Sequence, residues 1–153
     1  MLSRPGVSVA PEPALVAGRD VWLVHPWALG EPPADLPVDT LRIGWWPAEH
    51  HAAWPWTAAR WSFVGTRMAA LTDTGWYAHR DELGLALTGA RSVQTVTNPH
   101  VAALLPGRVV QRPAPRLFAP VEIPCGSFST WWSRCMHGVK RIADLPGLAG
   151  REV

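Results

Sequence analysis

Apolar residues come in short bursts between proline-, glycine- and polar-rich breaks, the pattern of buried strands joined by short helices. Val21-Trp22-Leu23-Val24-His25 is the first burst, stopped by Pro26, and Leu41-Arg42-Ile43-Gly44-Trp45-Trp46 is the second, stopped by Pro47. Gly75 to His79, the β-branched stretch Ser92 to Thr97 and Arg108 to Gln111 complete a set of strands. Helical spacing falls between them. Thr57 is a candidate N-cap, and Trp61, Val64, Met68 and Leu71 then recur three and four residues apart. Asp81 to Leu87 is a short helix ended by Gly89, and Val101 to Leu105 is a helical turn. Ser127 to His137 is a last helix, with Ser127 or Ser129 as cap and Phe128, Trp131, Trp132 and Cys135 on its apolar side. The stretch from Trp27 to Asp39 has no such period. It carries Pro32, Pro33 and Pro37 just after Pro26, and connections of that length are often functional.

This order of strands and helices predicts an α/β domain: an open, mostly parallel five-stranded Rossmann-like sheet with flanking helices and right-handed crossovers. Residues 1–18, rich in Pro and Ala, read as a flexible leader. The α/β domain is expected over 19–112, followed by a linker and the Trp-rich helix over 113–153.

Composition narrows the classes. A chain of 153 residues, 48% hydrophobic and 17% charged, is expected to bury a core rather than stay disordered. No apolar run approaches the ~20 residues of a membrane span, and Met1 to Pro5 lacks the apolar segment of a secretory signal. A soluble, cytoplasmic protein is the expectation. Charge is lopsided, with nine acidic and six basic residues up to Glu82 and three acidic and eight basic after it. The basic residues form no dense cluster, so a solvated surface is favoured over a nucleic-acid face. Cys125 and Cys135 fit no zinc spacing and read as small core residues. Ten tryptophans against three phenylalanines and one tyrosine read first as core filling.

No glycine-rich phosphate loop, nucleophile elbow or His-Glu-x-x-His motif occurs. His50-His51 are neighbours that face different ways in a helix or strand, so they suit a loop or helix start better than a metal. Asp81-Glu82 suit the first turn of a helix. One constellation has positional logic, because open α/β sheets bind ligands at the carboxyl ends of their strands. His25, Trp27, Trp46, Asn98 and His100 fall there. Indole faces would sandwich a planar ring, with His25 and Asn98 at its polar edge. The alternative is that these are strand-end and turn residues chosen for local geometry.

The middle of the chain resembles the N-terminal domain of the DNA photolyase/cryptochrome family. The resemblance rests on the second strand ending Trp46-Pro47, the helix Ala59-Arg60-Trp61 through Leu71, Gly89-Ala90, and Asn98-Pro99 beyond the fourth strand. Leu117-Phe118-Ala119-Pro120 followed by Ser127-Phe128-Ser129-Thr130-Trp131-Trp132 is similar to the family's aromatic segment after that domain. Coverage runs from about Val21 to Cys135. The departures are specific. His25-Pro26-Trp27-Ala28-Leu29-Gly30 stands where the family has Arg-Arg-Asp-Leu-Arg, a Pro-rich loop replaces the first crossover helix, and the chain ends where the helical FAD domain would begin.

The resemblance implies a domain without turnover of its own and without FAD in this chain alone. It would bind a folate or deazaflavin antenna at the rim, or pair with a separate FAD-binding domain protein or a second copy through Phe128, Trp131 and Trp132. Light-dependent DNA repair or light sensing would be the setting, with no direct DNA binding by this chain. Two other readings stay open: a small Rossmann-like nucleotide-binding or enzymatic domain, and a structural or dimerisation module with no ligand.

Overall fold

Side chains alternate across a strand, so each apolar run above supplies two faces that must be covered separately. The computed structural model describes residues 8–148, in two units, 1–113 and 114–153. In the first unit β1 (Ser8–Val9), β2 (Asp20–Val24), β3 (Leu41–Pro47), β4 (Thr74–Ala78), β5 (Ser92–Val96) and β6 (Val110–Arg112) form one open sheet. The strand order is β1-β4-β3-β2-β5-β6, and every neighbouring pair is parallel. The helices are α1 (Pro13–Val16), α2 (Ala48–Ala53), α3 (Ala58–Leu71), α4 (Arg80–Ala86) and α5 (Pro99–Ala102). The expected α/β sheet with flanking helices is therefore present, five longer strands with a two-residue sixth at one edge.

From β2 the chain builds outward to β3 and β4, then returns to lay β5 against the other side of β2 and β6 beyond it. The order reverses between β2 and β5, which makes their carboxyl ends the topological switch point. One face of the sheet carries Val21, Leu23, Ile43, Trp45 and Val93, packed with Val16 of α1, Leu83 and Ala86 of α4, and Val101 of α5. The other carries Trp22, Val24 and Trp46, packed with Trp61, Val64, Met68 and Leu71 of α3 and with Trp56. The four α3 residues are those of the sequence period, and Thr57 caps the helix by accepting from the Arg60 backbone N–H. Gly44 lets α3 approach β3, since a Cβ there would meet Met68 Cε at 3.2 Å.

The β2–β3 connection holds no helix. Its Leu29 and Leu36 pack on the tryptophan-rich face in the place a crossover helix would take. Asp35 accepts two hydrogen bonds from Arg112 of β6, at 2.8 and 3.0 Å, and Arg67 of α3 donates to Glu31 and to the Leu29 carbonyl.

Three expectations are corrected. Within the supposed leader, β1 pairs with β4 and α1 buries Val16 completely, while residues 1–7 lie outside the described part. Pro13 starts α1 at a position where its missing N–H costs nothing. Second, Pro47 does not stop β3, which runs through it straight into α2, and His50-His51 fall near the start of that helix as expected of them. Third, Cys135 is buried but Cys125 is half-exposed, its thiol donating to the Ile123 carbonyl and accepting from Arg134.

The second unit contains α6 (Phe128–Cys135), capped by Ser127, and two 3-10 turns at Ile142–Asp144 and Pro146–Leu148. Phe118 meets Trp131 and Trp132 edge-on, and Phe128 lies against both. Phe128 is 71% exposed and Trp132 40%.

Candidate binding rim at the strand ends

The switch point is bridged from within. His25 follows β2 and is completely buried, and its Nε2–H donates to the Val96 carbonyl at the end of β5, 2.8 Å away. Its Nδ1 accepts from the Trp27 backbone N–H at 3.3 Å, which sets the tautomer. One residue lower, Thr95 Oγ1 donates to the Leu23 carbonyl at 2.7 Å. Burial holds the His25 pKa below the ordinary histidine value, against the Val96 hydrogen bond, so the ring stays neutral.

Above this bridge sits Trp27, half-buried and in contact with both cores. Four imidazoles surround its indole. His50 meets it edge-on at 4.5 Å, His100 stacks at 5.5 Å, and His25 and His51 both lie at 6.3 Å. α2 supplies His50 and His51, and the short α5 supplies His100 next to its Asn98 cap. Asn98 spends its side-chain oxygen on the His100 backbone N–H.

His51 goes deepest. It is 5% exposed, and rings of Trp27, Trp46, Trp56, Trp61 and Tyr77 enclose it at centroid distances from 4.5 to 6.3 Å. Neither of its nitrogens has a hydrogen-bond partner. Burial first, and then the His50 and Arg60 charges, push its pKa down to about 4. His50 is lowered by burial and by His100 and Arg60. Arg60 lies 4.2 Å over the Trp56 ring. Glu49 accepts through Oε1 from the Arg80 backbone N–H at 2.6 Å and lies 3.4 Å from His79 Nδ1, while its Oε2 is buried without a partner. It ties the β3–α2 corner to the β4–α4 corner.

The five sequence-derived rim residues thus divide. Trp27 and His100 form one stacked pair reachable from water, whereas His25 and Trp46 are core side chains and Asn98 is a helix cap. The rings that pattern reasoning left out are His50, His51, Trp56, Trp61 and Tyr77. The signal for the first three was the run His50-His51-Ala52-Ala53-Trp54-Pro55-Trp56, which crowds aromatic rings just past a strand end. Phe128, Trp131 and Trp132 do share one aromatic cluster on α6. Among the described residues no group of three His, Cys, Asp or Glu side chains is arranged to hold a metal, and no helix is long and apolar enough to cross a membrane.

Fold and rim together define an open, doubly wound α/β domain with an aromatic strand-end surface. Comparison with protein-family models, with curated proteins and with solved structures finds no match to the chain.

Proposed function

We propose that the chain is a binding domain of the photolyase/cryptochrome N-terminal type. It takes up a planar antenna chromophore, a folate or deazaflavin, at the strand-end rim and works beside a separate FAD-binding protein in light-dependent DNA repair or light sensing. The observation that carries the reading is the accessible Trp27–His100 stack at the switch point, flanked by half-buried His50. Because His25 occupies the crevice itself, the ligand lies over these rings rather than between β2 and β5. The exposed Phe128 and Trp132 of α6 are the face offered to the FAD-binding partner. Turnover by this chain alone is not part of the proposal.

The test is the absorption spectrum of protein purified gently from its native host. A band at longer wavelength than tryptophan's is expected, and it should weaken in Trp27→Ala. A band that survives that substitution removes the rim from the proposal, and a bare tryptophan spectrum removes the chromophore.

A second reading has its own support. The His25 bridge seals the place where doubly wound sheets receive ligands, as suits a structural or dimerisation module. A stable ligand-free dimer in size-exclusion chromatography would favour it.

A further inference from the structure

α2 is a helix of six residues that buries only Ala48, beside the strand it follows, and His51. After His51, the last two residues of α2, Ala52 and Ala53, and then Trp54 and Pro55 are all exposed. Beside the Glu49 tie to Arg80 at its start, His51 is therefore the buried anchor of α2, and it is an anchor of an unusual kind. A neutral imidazole with two unpartnered nitrogens sits in a nest of indoles where leucine or phenylalanine would be better buried.

We propose that α2 is an acid-released lid: on taking up a proton His51 leaves its tryptophan nest, α2 lifts from the end of β3, and the rings of Trp27, Trp46, Trp56 and Trp61 turn to water. The proposal stands on the packing of the rim and does not require that a chromophore binds there.

Burial and the nearby cationic groups work against a charge on His51 in place. His50 on α2 is itself a titrating cation, and Arg60 at the start of α3 is a permanent one. Beyond His50, His100 of α5 adds a further imidazole, and His25 lies 6.3 Å from the Trp27 ring. Tyr77 of β4 presents a phenol ring, and Trp46 and Trp61 present apolar rings. Glu49, the acid next along α2, is engaged with Arg80 and His79, and among the described residues no carboxylate pairs with His50 or His51. An imidazolium is attracted to indole faces, but inside the nest neither of its N–H groups has an acceptor, and hydration is recovered only outside.

The direction follows by linkage. The closed form binds the proton with a pKa of about 4 and the open form near the ordinary 6.5. The preference for closure from this group is thus complete above pH 6.5 and is lost as pH falls through about 4. At pH 5 the open fraction should rise about 30-fold over its neutral value.

The experiment is hydrogen–deuterium exchange of the full chain, corrected for intrinsic pH dependence and read by peptide. Protection over residues 48–54 should fall by about 30-fold between pH 7.5 and 5, while β2 and β5 keep theirs. In His51→Phe the fall should vanish, and His51→Leu provides the same test should the phenylalanine not fit. Unchanged protection of 48–54 in the wild type overturns the lid. So does an equal fall in the His51 variants, or a parallel loss in β2 and β5, which would be global acid unfolding.

Discussion

On one face of the sheet Val21, Leu23, Ile43 and Val93 lie under α1, α4 and α5; on the other Trp22 and Trp46 lie under α3 and a proline-rich loop. The strands are the same and only the parity of the residues differs. Where helices supply the cover, mostly medium-sized apolar side chains suffice. Where the β2–β3 crossover lacks a helix, indoles supply the bulk, each removing about 150–250 Å² from water. Half of the buried residues in the second core, Trp22, Trp46, Trp56 and Trp61, are tryptophans. The tryptophan content thus has a structural cause on this face, and the aromatic cover spreads past the strand ends to become the rim.

The sharpest test of the comparison sets an indole on one face against an indole on the other. Trp45 belongs to the helix-covered face, is fully buried, and donates its Nε1–H to the Ala78 carbonyl at 3.1 Å. Trp45→Ala leaves a large cavity and an unpaired carbonyl between rigid elements, and should cost about 5 kcal/mol, a large part of the stability of a domain this size. Trp61→Ala removes a ring at the edge of the aromatic face, where α3 and the neighbouring rings can settle inward, and should cost about 3 kcal/mol. Urea denaturation followed by circular dichroism orders the two. Equal or inverted costs would mean that the aromatic face is packed as tightly as the helical one.

The sheet was legible because β2 and β3 are short apolar runs with proline at their ends and β5 alternates, and α3 because its four buried residues keep a strict period. The leader was misread because composition outweighed pattern: Leu15 and Val16 are only two apolar residues among prolines and alanines, and their burial depends on a partner, α4, some 70 residues away. α2 was missed because Pro47 looked like a terminator, whereas a proline just before a helix is tolerated. The rim was legible as a place but not as a set of contacts. That His25 would spend both nitrogens on Val96 and Trp27, and Asn98 its oxygen on His100, depends on which strands are neighbours. The run from His50 to Trp56 hints at the His51 nest, but Trp27, Trp46, Trp61 and Tyr77 come to it from separate elements that spacing along the chain does not join.

A smaller effect separates α3 from the aromatic core it completes. Thr57 Oγ1 accepts from the Arg60 N–H at 3.4 Å, a long cap. Thr57→Ala should cost about 0.5–1 kcal/mol without changing the environment of Trp61, so that the denaturation midpoint moves and the native tryptophan emission does not. An emission shift would show that the cap also positions the rings.

The smallest effect concerns the loop that stands in for the missing helix. Asp35 is bound by both terminal nitrogens of Arg112, whose Nε–H donates to Gln94, and the guanidinium lies 6.0 Å from the Trp22 ring. The Arg112 hydrogen bonds hold the Asp35 carboxyl below its ordinary pKa. The tether is therefore intact above the ordinary carboxylate range and is lost as pH falls through the lowered value. Because the pair is open to solvent, its worth is small and falls with salt. Asp35→Asn should leave global stability nearly unchanged while hydrogen exchange over residues 27–40 quickens, an increase that added salt reproduces in the wild type. Were the loop instead held by Leu29 and Leu36 alone, exchange would not respond to either change, and apolar packing would account for the cover on this face as fully as it does on the other.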